Sequence, residues 1–126
     1  MQYIGVDIIE INRIKEAVER WGQRFLDRVF TPEEIRLYAC KYQSLAARFA
    51  AKEAVLKALG ACSEGITWHD IEVLSDKRGK PTIVLAGTAR EAARMLAIDF
   101  LDVSLSHSEY YAVAFCVGTG AAGHAV

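Results

Sequence analysis

The stretch S-L-A-A-R-F-A-A-K-E-A-V-L-K-A-L at residues 44–59, followed by Gly60, sets the fold. It holds six alanines, no proline and one β-branched residue, and a glycine closes it, so it reads as a long helix. At about 100° per residue, Leu45, Phe49, Leu56 and Leu59 share an apolar stripe, with Arg48 and Lys52 within or beside it. Glu53 and Lys57 stand one turn apart on the neighbouring flank, a spacing that on most helices makes only a surface ion pair worth a few tenths of a kcal/mol. Three cations and one carboxylate within ten residues point instead to an anion site, because phosphate needs convergent donors.

Upstream, Q-Y-I-G-V-D-I-I at residues 2–9 is β-branched and almost wholly apolar, the pattern of a strand buried on both faces or inside a sheet. Asp7 interrupts it. An ionised carboxylate there has to find a cation or several donors, either in a salt bridge or as a ligand of a hard metal ion such as Mg2+. Ile14, Val18, Trp21 and Phe25 then recur at the spacing of one helix face. Alongside them Arg13, Arg20 and Arg24 fall within about 40° of one another on the helical wheel, with Arg28 a turn later. Such a run is either a solvated face or a docking ridge for an acidic partner, with Trp21 and Phe25 as its apolar anchors or as core. Thr31-Pro32-Glu33-Glu34 joins a capping box to a proline at the first helical position, predicting a helix running towards Cys40.

Downstream, two β-rich runs between residues 70 and 85 flank Asp76-Lys77-Arg78-Gly79 and predict a hairpin. Thr88-x-x-Glu91 predicts a capped helix through about Ile98, and residues 103–105 and 110–117 read as two strands joined near Ser106-His107-Ser108-Glu109. The result is one α+β domain over residues 1–117, a small mixture of helices and antiparallel strands, followed by a flexible Gly/Ala-rich tail at 118–126.

Composition narrows the function. The 126 residues are 52% hydrophobic, and 15 Lys+Arg against 16 Asp+Glu leave a net charge of −1, which argues against bulk nucleic acid as the partner. Residues 1–60 carry ten basic and eight acidic side chains, so the N-terminal half is mildly positive. Cys40, Cys62 and Cys116 form no C-x-x-C pair and predict buried, reduced thiols. Asp7 is out of place in a signal-peptide core, and the longest uncharged stretch, residues 110–122, is too short for a membrane span; a cytoplasmic location is expected. Gly118-Thr119-Gly120-Ala121-Ala122-Gly123 spells G-x-G-x-x-G but precedes only three residues, leaving no helix to present to a pyrophosphate. His107 lies at an expected strand end, where histidine binds phosphate or caps a turn; His69 and His124 have no patterned neighbours.

G-V-D-I-I-E-I-N-R-I at residues 5–14, F-T-P-E-E at 30–34, A-R-F-A-A-K-E-A-V-L-K-A at 47–58 and S-L-S-H-S at 104–108 together resemble the holo-acyl-carrier-protein synthases, the short bacterial type of 4′-phosphopantetheinyl transferase. The resemblance spans nearly the whole chain in order and implies the 4′-phosphopantetheinyl transferase-like fold. It implies transfer of the 4′-phosphopantetheine arm from coenzyme A to a serine of an apo-acyl carrier protein, with release of adenosine 3′,5′-bisphosphate. The family's carboxylate ligands for Mg2+, or for Mn2+ in its place, fall on Asp7 and Glu53. Glu53 is also the expected base, Lys57 a phosphate-binding or acid/base residue, and Arg48, Lys52 and His107 coenzyme A contacts. The carrier-binding surface corresponds to Arg13, Arg24, Phe25 and Arg28, which Arg20 joins by geometry alone. The resemblance further implies a homotrimer whose sites lie between subunits, with the turn bearing Gly79, Lys80 and Pro81 contributed by a neighbour. Only Lys41 marks the segment expected to bind the nucleotide 3′-phosphate. Fatty-acid and polyketide carriers share acidic helices and are not ranked by this sequence. Two other readings use the same residues: a non-catalytic module for an acidic partner, and a Mg2+-dependent phosphohydrolase acting on coenzyme A.

Overall fold

The computed structural model describes residues 2–120. The chain runs β1 (Gln2–Glu10), α1 (Ile11–Trp21), α2 (Gln23–Val29), α3 (Pro32–Tyr38) and the long α4 (Tyr42–Leu59). Two short 3-10 turns lead into β2 (Ile71–Ser75) and β3 (Pro81–Leu85), then α5 (Gly87–Met95), β4 (Phe100–His107) and β5 (Tyr111–Thr119). The strands form an antiparallel sheet in the order β1-β5-β4 and a separate β2-β3 hairpin, which fulfils the α+β expectation.

α4 lies on the three-stranded sheet, and its alanines make that possible. Ala46, Ala50, Ala51 and Ala54 have no exposed surface, and Ala58 has little. The closest approach is at Gly5, where an added Cβ would stand 1.8 Å from the carbonyl oxygen of Ala54 and 2.8 Å from the amide nitrogen of Ala58. A glycine in β1 and alanines in α4 therefore set the distance between helix and sheet. The expected single stripe is corrected: α4 is buried around most of its circumference, Arg48 and Lys52 included, while Phe49 and Leu56 remain half-buried. Small residues bring the helix close to the sheet on one side, and α1, α3 and β2 close over the others.

β1 also departs from expectation. It is an edge strand, and only its Tyr3, Gly5, Asp7, Ile9 side faces α4. Ile4, Val6 and Ile8 are 56%, 51% and 63% exposed on the other side, in register with Val117, Phe115 and Val113. A strand apolar on both sides is covered here by a helix on one side only.

The helix expected to carry Ile14 through Phe25 is broken at Gly22, whose φ of 57° ends α1 and turns the chain into α2. Ile11, Ile14, Leu26 and Val29 are buried, but Trp21 is half exposed and is no part of the core. The Thr31 capping box forms as expected: the Glu34 amide donates to Thr31 Oγ1 at 3.2 Å, and the Thr31 amide donates to Glu34 Oε1 at 2.8 Å. α3 ends at Tyr38, two residues before Cys40. α5 is held at its start not by its own Thr88 but by Asp70, whose Oδ2 accepts from the Thr88 amide and hydroxyl. Both final strands are longer than predicted, and β5 carries Gly118 and Thr119 into the sheet. Residues 121–126, and with them most of the expected tail, lie outside the described residues.

Candidate active site

Asp7 projects from β1 towards α4 because it is two residues beyond Gly5, on the same side of the strand. Its side chain is 18% exposed. Lys57, from the last turn of α4, reaches over and donates to Asp7 Oδ1 at 3.1 Å and to the Val6 carbonyl at 3.0 Å. Glu53 sits one turn earlier on α4, so the Glu53/Lys57 flank of the helix and the inward side of β1 converge. They bound a cavity of about 390 Å³ whose lining includes Asp7, Arg13, Phe25, Phe49 and Glu53. Burial raises the Glu53 carboxyl pKa above its ordinary value, the Asp7 carboxylate raises it further, and Lys57 opposes both. Two carboxylates thus face one cleft, with Lys57 bonded to Asp7 and Arg13 in the same lining.

The break at Gly22 divides the expected arginine stripe. Arg13 lines the carboxylate cleft, whereas Trp21, Arg24, Phe25 and Arg28 line an adjoining depression. Phe25 belongs to both, packing edge-on against Phe30 with ring centroids 6.1 Å apart. Arg20 lies over the exposed Trp21 ring, 5.0 Å from its centroid.

Lys52 requires a correction. Its ammonium has no exposed surface and is consumed by Glu34 Oε1 at 2.8 Å, the Trp68 carbonyl at 3.1 Å and the Ile71 carbonyl. Burial lowers its pKa and Glu34 counters that shift. A cation so enclosed cannot touch coenzyme A; it instead ties α4 to α3 and to the hairpin. Glu34 completes the knot by accepting from the Val73 amide at 2.7 Å. Arg48 is likewise buried, stacked 3.9 Å over Tyr38 and donating to Tyr38 Oη at 3.0 Å and Ser75 Oγ at 2.7 Å; its Nε is buried without a hydrogen-bond partner.

His107 is exposed at the end of β4, in the row Ile9, Ala112, His107, on the same side of the sheet as Asp7 but two strands away. Gly79, Lys80 and Pro81 do not line the Asp7/Glu53 cleft of their own chain. Lys80 binds Asp102 at 2.8 Å, and with Pro81 it borders a hollow that includes Phe100, Phe115 and Val117 on the side of the sheet away from α4. Sequence reasoning missed Phe49, which lines the cleft and stacks on Trp68 at 5.1 Å. It also missed Glu34; the signal for that residue was the unpaired Lys52 on an otherwise alanine-rich helix. The three thiols are free; Cys116 is buried, with its pKa pushed up to about 12 by that burial, but Cys40 is exposed and Cys62 half-buried, against the expectation for all three.

Paired carboxylates, nearby cations and a basic aromatic flank form the donor set of an enzyme that handles phosphate esters. The family model of the 4′-phosphopantetheinyl transferase superfamily matches residues 3–116. A holo-[acyl-carrier-protein] synthase of Dehalococcoides mccartyi is 50% identical over 117 residues, covering 93% of this chain and 98% of that one. That of Herpetosiphon aurantiacus is 50% identical over 127 residues, covering 95% and 100%. The crystal structure of Helicobacter pylori holo-[acyl-carrier-protein] synthase in complex with coenzyme A superposes with a TM-score of 0.81 at 36% identity, covering 92% of this chain and 99% of that one. The chain belongs to the 4′-phosphopantetheinyl transferase superfamily, and it is an enzyme of that class.

Proposed function

We propose that this chain acts as a holo-acyl-carrier-protein synthase, moving the 4′-phosphopantetheine arm of coenzyme A to a serine of an apo-acyl carrier protein. The observation that carries the reading is the continuity of the carboxylate cleft, through Phe25, with the depression formed by Trp21, Arg24 and Arg28. An acidic carrier docked on those arginines delivers its serine to the carboxylates.

The residues present fit a hard divalent cation. Asp7 and Glu53 offer oxygen donors only, a set that suits Mg2+ or Mn2+ completing its shell with water and substrate phosphate. When bound, such an ion offsets the charge of the coenzyme A pyrophosphate and polarises the phosphorus under attack. Glu53, in its ionised form, accepts the serine proton at a carboxylate oxygen. The serine oxygen bonds to the pantetheine-bearing phosphorus, the pyrophosphate P–O bond breaks, and adenosine 3′,5′-bisphosphate leaves with the electron pair. Lys57 offers its ammonium to a phosphate oxygen and His107 extends the anion site, whereas Arg48, held by Tyr38 and Ser75, braces α4 behind it.

A homotrimer accounts for the uncovered side of the sheet. Ile4, Val6, Ile8 and Phe115 form an exposed apolar face of the kind that marks association. Lys80 and Pro81 border this same face, which suits the reading that their turn serves a neighbour's site. No helix among the described residues is long and apolar enough to cross a membrane. Three free thiols suit a reducing, cytoplasmic setting.

The reaction is tested by chromatography of adenosine 3′,5′-bisphosphate with and without apo-carrier: release that requires the carrier supports transfer, and release to water alone contradicts it. Charge reversal in Arg24→Glu is expected to raise the KM for carrier about tenfold while leaving that for coenzyme A near wild type. Equal losses for both substrates exclude the arginine surface as the docking site.

A further inference from the structure

The two acidic side chains of the cleft share one nearby lysine. Lys57 hydrogen-bonds Asp7 directly and stands one turn from Glu53 on α4. Its other anchor is a backbone carbonyl, Val6 O, on the same strand. The ammonium therefore already supplies positive charge to both carboxylates, and its side chain is 55% exposed on a flexible four-carbon stem. A divalent cation coordinated by Asp7 would come against an ammonium that now stands 3.1 Å from Asp7 Oδ1, and two positive charges at that range repel.

We propose that Lys57 is an exchangeable counter-cation: it holds Asp7 until a divalent cation takes its place, and the exchange frees its ammonium for the incoming phosphate. The inference rests on the metal reading given above and adds an order of events to it. Without metal, Lys57 is tied to β1; with metal, the same charge is available to substrate. Metal loading and phosphate capture are thus coupled through one side chain, and coenzyme A is engaged by Lys57 only after the carboxylates are neutralised.

The test is a titration of the full chain with Mn2+ in the absence of coenzyme A, following free Mn2+ by its electron paramagnetic resonance signal. Lys57→Met removes the competitor and is expected to bind Mn2+ about 3- to 10-fold more tightly than wild type, the scale of losing one half-exposed ion pair and its repulsion of the metal. Lys57→Arg keeps the charge and is expected to bind as wild type does, and Lys57→Gln serves in place of the methionine variant if that one does not fold. Unchanged or weaker Mn2+ binding by the neutral variants, with wild type binding normally, overturns the exchange and leaves the metal reading standing. Wild type that binds no better than Asp7→Ala overturns the metal reading itself, and the exchange with it.

Discussion

Gly5→Val is expected to yield no folded protein at 25 °C. A single Cβ at this position already falls 1.8 Å from the Ala54 carbonyl oxygen and 2.8 Å from its carbon, both atoms of the α4 backbone. Side chains relieve overpacking of about 1–3 kcal/mol by changing rotamer, but a helix backbone has no such freedom. Valine adds two further methyl groups, so β1 and α4 have to separate. That separation opens the core formed by Ala50, Ala51, Ala54, Ala114 and Cys116, at a cost comparable to the whole stability of a domain, about 5–15 kcal/mol. It also carries Asp7 away from Lys57. Circular dichroism and a thermal melt decide the matter: a cooperative transition near that of wild type contradicts the packing described.

Glu53→Gln is expected to lower turnover by about 10²–10⁴-fold at saturating Mg2+, the range for loss of a positioned acid or base. The same variant is expected to melt above wild type at pH 7 in the absence of metal. Because the folded-state pKa of Glu53 is raised by burial and by Asp7, the protonated carboxyl stabilises the fold at low pH, and that contribution is lost as pH rises through the folded-state pKa. At pH 7 ionised Glu53 is therefore a cost that glutamine lacks. Below the unfolded-state carboxyl pKa both side chains are neutral, and the difference in melting temperature disappears. Near-full turnover in Glu53→Gln removes its assignments as ligand and base together.

The features legible in the sequence are those that depend on neighbouring residues. The Thr31 capping box, the Asp76–Gly79 turn and the Gly60 stop of α4 form because their hydrogen bonds and dihedral angles are local. Asp7, Glu53 and Lys57 are legible as charges out of place, and the structure brings Asp7 and Glu53 to one cleft with Lys57 bonded to Asp7. What was not legible depends on which surface the fold covers. An apolar strand reads the same whether one or both sides are packed, so the sequence alone predicts β1 as buried on both faces or inside a sheet. The wheel of residues 13–28 assumed an unbroken helix, and Gly22 at positive φ divides it. Lys52 read as a phosphate ligand because its true partner, Glu34, lies eighteen residues away and meets it only through the packing of α3 against α4.

The most direct measurement is the intact mass of an apo-acyl carrier protein after incubation with this chain, coenzyme A and Mg2+, with EDTA and a carrier lacking its acceptor serine as controls. The expected result is a gain of one phosphopantetheine group that both controls abolish. A carrier of unchanged mass, with the enzyme folded and coenzyme A intact across several acidic carriers, contradicts the proposed transfer.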